Sequence, residues 1–460
     1  MGKIKITIED IFNLPTAVIY NPDNYSPARS IQIDSRKKLR GSIFVAIKGE
    51  KYDGHNFIPE AVEKGAGSVL INKKNYNKFR SLNIPVITVE DTVKALGDLA
   101  ALWRDKLNAK VISITGSTGK TTTKEIAAVL LNEKYKVVKT EANNNNHIGV
   151  PITILSADEN CEMLILEQGT NHIGEIPYSA KISRPDLSLI TNIGDSHIEF
   201  LKNKKMIYRE KSALFDETAK RGGIILANTD DPIIASNIKK YPNVITYGFN
   251  KNPDLKGKLL GYTDDGRTII KINQASGPIT LPIYGQSNAA NFLAAAAIAK
   301  QVGLSGKLIK QGAEKLTPVH GRLDVKKFHK AVLIDDTYNS SPASVAAAYD
   351  LVKRIRTFKL KIVVLGDIFE LGKQSEKIHR ELAKIFTYDK QLFVLTVGKA
   401  MGSLTDQLRK RNIKSIHFHL REALSLYLKY EEIENSVILV KGSRGMKMEE
   451  FVNILEKRFE

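Results

Sequence analysis

The stretch Ile112-Ser113-Ile114-Thr115-Gly116-Ser117-Thr118-Gly119-Lys120-Thr121-Thr122-Thr123 decides how this chain is read. Its apolar start has strand character, and the residues from Lys124 to Leu131 suit a helix. The glycines at the junction let backbone N–H groups wrap a polyphosphate, Lys120 neutralises β and γ oxygens, and Thr121 can ligate Mg²⁺. The helix N-terminus adds its dipole at the same point. Gly116, Ser117, Thr118, Gly119, Lys120, Thr121 and Thr122 are therefore the candidates for binding ATP. A usual phosphate loop would carry glycine where Ile114 stands. The shorter form here, Gly-x-x-Gly-Lys-Thr, argues against the common GTPases and motor ATPases.

Outward from this loop, apolar strands alternate with helical stretches at Val111 to Ile114, Met163 to Leu166, Leu187 to Thr191 and Ile224 to Ala227. Such alternation predicts a mostly parallel sheet covered by helices on both faces. The pattern recurs at Val332 to Ile334, Ile362 to Leu365, Leu392 to Val397 and Val437 to Val440, predicting a second doubly wound, Rossmann-like sheet. Before the loop, short runs such as Gly41 to Ile47 and Ser68 to Ile71 lie between turns and predict a small α/β domain. The expected organisation is α/β in three domains, at 1–106, 107–317 and 318–460. That number agrees with 460 residues at about 100–200 per domain.

Composition narrows the function. Lysine and arginine total 69 against 50 acidic residues, a formal charge of +19 that favours anionic partners. The lysines are scattered, with no basic stripe carrying aromatic platforms, so nucleic acid is not an expected partner. No run approaches the ~18–20 apolar residues that cross a bilayer. The first residues mix Lys3, Lys5, Glu9 and Asp10 among apolar positions, unlike a secretory signal. A cytoplasmic protein without membrane insertion is expected. The single cysteine, Cys161, can form no internal disulfide and opens an apolar run, where a buried thiol is expected.

Nucleotide-bound Mg²⁺ usually takes one or two protein carboxylates or hydroxyls. Glu167 ends the strand Met163 to Leu166, at the edge where open α/β sheets place ligands. The next strand runs into Thr191-Asn192-Ile193-Gly194-Asp195-Ser196-His197, making His197 a candidate second-metal ligand.

At these residues the sequence resembles the Mur ligases. The resemblance extends through Glu167-Gln168-Gly169, Gly285-Gln286-Ser287-Asn288-Ala289-Ala290-Asn291, Gly321-Arg322 and Asp335-Asp336-Thr337-Tyr338-Asn339-Ser340-Ser341-Pro342. It implies that Asn288 and Asn291 lie near the adenine, and that Arg322 and Asp336 clamp the nucleotide from the third domain. It implies that Lys120 acts on the phosphates, that Thr121 and Glu167 hold one Mg²⁺, and that His197 and Lys211 serve a second. Lys211 matches a family lysine that is carbamylated in several members. Ser287 departs from the His, and Ser341 from the Asn, found in many members.

Within the family, Gly366-Asp367-Ile368-Phe369-Glu370-Leu371-Gly372 and Lys441-Gly442-Ser443-Arg444-Gly445-Met446 resemble the branch that adds D-alanyl-D-alanine. Asp34-Ser35-Arg36, Phe44 to Gly49 and Asp53-Gly54-His55 resemble its UDP-sugar-binding domain. Ser35, Arg36, Lys48, Gly49, Asp53, His55, Tyr338 and Asn339 are thus candidates for binding substrate. The implied activity is ATP-dependent joining of D-alanyl-D-alanine to a UDP-N-acetylmuramoyl-tripeptide through an acyl phosphate. The third domain would close over ATP and bind the incoming dipeptide, and a monomer is the expected state. A sibling ligase for a diamino acid would carry an Asp-Asn-Pro-Arg-like stretch, which the chain lacks. A nucleic-acid-stimulated P-loop ATPase would turn over ATP without an amino-acid substrate, and a regulator would bind ATP without turnover.

Overall fold

The computed structural model describes residues 4–194, 198–250, 252–273 and 275–460. Its sheets follow the alternation in the sequence. In the central sheet the strands lie in the order Ile279–Tyr284, Arg267–Ile272, Leu255–Tyr262, Val244–Gly248, Ile224–Asn228, Leu187–Ile190, Lys110–Thr115, Met163–Glu167 and Val137–Lys139. Pairing is parallel from Val137–Lys139 through Leu255–Tyr262, and antiparallel for the two strands beyond. The middle strands are buried on both faces because their residues are apolar almost throughout. Register sets the site: Ile114 pairs with Glu167 and Thr115 with Ile190. Gly116, Glu167 and Thr191 therefore emerge at one edge.

Helices Lys120–Leu131 and Gln286–Gln301 cover one face of this sheet. Ile126 and Leu130 meet Phe292, Leu293 and the small side chains of Ala294 to Ala297 in a shared core. The other face carries helices Thr92–Lys106, Gly149–Ser156 and Glu175–Ser183. Here Leu96, Leu99 and Trp103 join Ile154, Leu164 and Leu166 in a core that runs on into Ile43, Val45, Leu70 and Ile87 of the first sheet. The first region and the central sheet thus share one hydrophobic core. Trp103 Nε1 donates to Ala157 O at 2.8 Å, and Arg104 Nη2 reaches Asp186 Oδ2 at 2.8 Å.

The first sheet runs Val18–Tyr20, Val86–Val89, Ser68–Asn72, Ser42–Val45 and Ser30–Gln32, parallel except at Val18–Tyr20. The third runs Asp324–Lys327, Ala331–Asp336, Ser436–Lys441, Leu360–Gly366, Leu392–Val397 and Lys414–Phe418, with an antiparallel first pair. Its last strand in sequence, Ser436–Lys441, inserts beside Ala331–Asp336 and places Lys441 opposite Asp336. Separate apolar cores on the two faces make it a doubly wound layer.

Cys161 is buried, and burial pushes its thiol up to about 11, so it stays protonated and inert at neutral pH. Among the described residues, no helix is long and apolar enough to cross a membrane.

Trp103 is 1% exposed and bridges the two regions that share a core. Trp103→Ala is expected to cost about 3–5 kcal/mol. Circular dichroism during urea unfolding should show the midpoint falling, with Trp103→Phe losing markedly less.

Candidate active site

The phosphate loop turns on two backbone constraints. Gly116 has φ +149°, and a Cβ there would lie 1.8 Å from Thr191 Oγ1. Gly119 has φ +82°, and its Cβ would lie 2.4 Å from Asn291 Oδ1. Both positions exclude side chains on conformation and on space.

The neighbouring strand end braces the loop. Thr191 Oγ1 donates to Thr118 O at 2.6 Å, Thr118 N donates to Asn192 Oδ1 at 3.1 Å, and Asn192 Nδ2 returns a bond to Thr118 O at 3.1 Å. Gly194 N donates to Ser117 Oγ at 2.8 Å. The segment singled out for a metal ligand thus also acts as the loop's scaffold. His197 itself lies outside the described residues.

Glu167 sits beneath the loop, 2% exposed. Its Oε1 accepts from Thr121 Oγ1 at 3.0 Å and from Asn145 Nδ2 at 2.9 Å. Its Oε2 is buried without a hydrogen-bond partner among the described residues, 3.6 Å from Lys124 Nζ. Lys124 is fully buried and donates to Thr140 O at 2.6 Å, while Thr140 Oγ1 accepts from Glu167 N at 2.9 Å. A carboxylate oxygen left open beside a hydroxyl is a hard-oxygen pair of the kind that Mg²⁺ takes on a nucleotide, so these residues fit that ion.

Lys120 Nζ donates to Gly116 O at 2.8 Å. Burial lowers its pKa below the ordinary lysine value, opposed by the Glu167 carboxylate and reinforced by Arg322. Lys211, on helix Lys204–Lys220, is 1% exposed. Burial, with the charge of Lys120, holds its pKa well below the usual range, and Glu210 opposes this.

The third domain reaches the same point. Arg322 Nη2 donates to Thr121 Oγ1 at 3.0 Å, and its guanidinium stacks 3.9 Å above the Tyr338 ring. Asp336 accepts from Leu323 N at 3.1 Å and from the buried Lys441 Nζ at 2.6 Å, so its carboxylate is held inside its own domain. A second bridge joins Glu199 N to Glu370 O at 3.3 Å. Between the domains lies a cleft of ≈650 Å³. Its walls include Ser117 to Thr122, Glu167, Asn288, Asn291, Arg322, Asp336, Tyr338 and Asn339. Ser287 and Ser341 both line the cleft, and Ser341 also caps helix Pro342–Arg354.

The amino-terminal candidates stand elsewhere, and none of them lines this cleft among the described residues. Arg36 is exposed and paired with Asp34 at 2.8 Å, and Ser35 Oγ donates to Glu60 at 2.7 Å. Lys48 and Asp53 face each other as an isolated antiparallel backbone β-bridge, and Gly49 N donates to Tyr52 O at 2.9 Å. His55 is turned inward: its Nδ1 meets Asp53 Oδ1 at 2.6 Å and its Nε2 accepts from Asn72 N at 3.1 Å. Both ring nitrogens are used within the chain, so His55 holds this loop in shape.

Sequence reasoning missed Asn145, Thr140 and Lys124. The run Asn143 to Asn146 was visible as a compositional bias, and its amides were the available signal.

Three family signatures match the chain: the Mur ligase family catalytic domain over residues 27–104, the Mur ligase middle domain over 114–299, and the Mur ligase glutamate ligase domain over 321–444. The UDP-N-acetylmuramoyl-tripeptide–D-alanyl-D-alanine ligase of Bacillus subtilis (strain 168) is 33% identical over 456 residues, covering 98% of each chain. A crystal structure of MurF from Acinetobacter baumannii superposes with TM-score 0.89 at 27% identity, covering 99% of this chain and 100% of that one. MurF ligase from Thermotoga maritima in complex with ADP superposes with TM-score 0.81 at 28% identity, covering 94% and 98%.

Gly119→Ala should drive the new methyl into Asn291 and distort the loop. Calorimetric titration with ADP is expected to show affinity weakened at least about tenfold, a loss of ~1.4 kcal/mol, with an unchanged circular dichroism spectrum.

Proposed function

The chain belongs to the Mur ligase family, and from that premise we propose that it joins D-alanyl-D-alanine to a UDP-N-acetylmuramoyl-tripeptide at the expense of ATP. The products are UDP-muramoyl-pentapeptide, ADP and phosphate, which places the reaction in peptidoglycan precursor synthesis. The observation that carries this reading is the chain Arg322–Thr121–Glu167, which ties two domains together at the phosphate loop. The full-length match to relatives named for this reaction supports the choice of substrates.

Amide formation in water from a free carboxylate is uphill, so the carboxylate is first activated. A donor carboxylate oxygen attacks the γ-phosphorus of ATP, the bond to the β–γ bridging oxygen breaks, and ADP leaves. The amine of the dipeptide then attacks the acyl carbon, phosphate leaves, and the amine gives up a proton. Phosphoryl transfer of this kind depends on alignment and charge neutralisation. Lys120 and the amides of the loop hold the β- and γ-phosphates, and Arg322 presses from the facing domain. Asn288 and Asn291 flank the adenine, while Asp336 keeps Leu323 and Lys441 in place behind Arg322. Thr121 and Glu167 would hold Mg²⁺, which when bound offsets the repulsion between anionic donor and phosphate.

Lys211 and His197 are proposed for a second metal position. A buried lysine with a lowered pKa keeps more of its amine neutral, the form that takes up CO₂ as a carbamate. Tyr338 and Asn339, which line the cleft, are proposed to bind substrate there. Ser35, Arg36, Lys48, Gly49 and Asp53, with His55 as their support, are proposed to receive the UDP-sugar. The cleft draws on one chain, so we propose that it works as a monomer, and in the cytoplasm, where ATP is supplied.

Phosphate release should require the muramoyl tripeptide and D-alanyl-D-alanine together, with a product heavier by the dipeptide less water. Single amino acids should give little turnover, and Lys120→Ala should lower it at least about a thousandfold, as loss of a charge-stabilising group does. Turnover without any muramoyl substrate would defeat the assignment. Separately, protein equilibrated with ¹³C-bicarbonate should show a carbamate carbon resonance that is absent from Lys211→Ala.

A further inference from the structure

Outside the residues that line the cleft, three side chains converge that the proposed reaction does not use. Asp324 and Asp335 stand directly opposite each other on the antiparallel strands Asp324–Lys327 and Ala331–Asp336. His320 sits in the preceding turn, closed by Arg322 N to Val319 O at 2.9 Å and pinned to the sheet by Tyr338 N to Gly321 O at 3.0 Å. His320 Nδ1 lies 3.7 Å from Asp335 Oδ2 and 3.9 Å from Asp324 Oδ2. These separations are too long for hydrogen bonds. Tetrahedral ligand atoms about 2.0–2.2 Å from one ion stand about 3.3–3.6 Å apart, so drawing these atoms in by a few tenths of an ångström would seat a shared ion.

An independent observation marks the place as unfinished. Asp335 is fully buried; its Oδ1 accepts from Thr337 N and Oγ1, while its Oδ2 has no hydrogen-bond partner among the described residues. Buried carboxylate oxygens are ordinarily partnered. Lys326 Nζ is 4.0 Å from Asp324 Oδ2 but is already paired with Glu456. One imidazole with two carboxylates suits a divalent transition ion of the Zn²⁺ or Mn²⁺ kind better than Mg²⁺.

We propose that His320, Asp324 and Asp335 form a structural divalent-metal site, distinct from the nucleotide site, that staples the linker turn to the third domain's sheet. A cation bound there would sit between two carboxylates that face each other across the strand pair. Since Arg322 follows His320 by two residues, the staple fixes where its guanidinium leaves the sheet.

The test is competition for Zn²⁺ between the nucleotide-free full chain, without an added histidine tag, and a chromophoric chelator. The site predicts one tightly bound Zn²⁺ per chain in wild type and equally in Glu167→Gln, which alters the nucleotide site. His320→Ala and Asp324→Asn should each weaken it at least about tenfold, because each removes a ligand. His320 is exposed, so its truncation leaves the fold intact by circular dichroism. Cobalt substitution should give a visible d–d absorption that His320→Ala loses. Equal Zn²⁺ affinity in wild type and His320→Ala, or affinity lost in Glu167→Gln, would overturn the proposal.

Discussion

A buried carboxylate with one oxygen committed and one open is the constraint around which this molecule is arranged. Leaving a buried polar group without a partner costs about 1–3 kcal/mol, and more for a charge. Glu167 bears that cost at the end of a central strand, and nearby groups offset part of it. Thr121 and Asn145 occupy Oε1, Thr140 holds the backbone, and the buried Lys124 supplies positive charge at 3.6 Å. The parallel register makes this possible by ending three strands at one level, so the loop of amides, the carboxylate and the Thr191 brace meet without a long connection.

The second half of the site is borrowed. Arg322 comes from the far side of the linker, and its hydrogen bond lands on the same Thr121 hydroxyl that faces Glu167. One threonine therefore senses both the acidic partner beneath it and the position of the third domain. Stacking on Tyr338 keeps the guanidinium extended, and the buried pair of Asp336 with Lys441 stiffens the strand ends from which these side chains project. That pair is enclosed, so its value lies in fixing geometry as much as in attraction.

What could be read from sequence follows how local each signal is. The phosphate loop was legible because its glycines, lysine and threonine are contiguous and each answers to a backbone or charge requirement. Glu167 was legible from its place at a strand end. Asn145, Thr140 and Lys124 were not, since they reach Glu167 only through the pairing of Val137–Lys139 with Met163–Glu167 and the approach of the first helix of the site. His55 looked available for a ligand, yet Asp53 and the Asn72 amide use both of its nitrogens. Helix Thr92–Lys106 was placed with the first region by order in the chain, while its apolar face belongs equally to the central sheet.

That shared face decides which parts of the molecule can travel. With Trp103, Leu96 and Leu99 sunk between two sheets, the first region and the nucleotide-binding sheet behave as one chassis. The covalent link from this chassis to the third domain is the segment between helix Gly306–Glu314 and strand Asp324–Lys327, where the proposed closure would have to turn. Under the proposed function, nucleotide and sugar-linked donor both sit on this one chassis, at a spacing that does not depend on the third domain. On that reading the acceptor, proposed to bind the third domain, is the component that closure brings up. Such an arrangement would shield an energy-rich acyl phosphate from water until the amine that consumes it is in place.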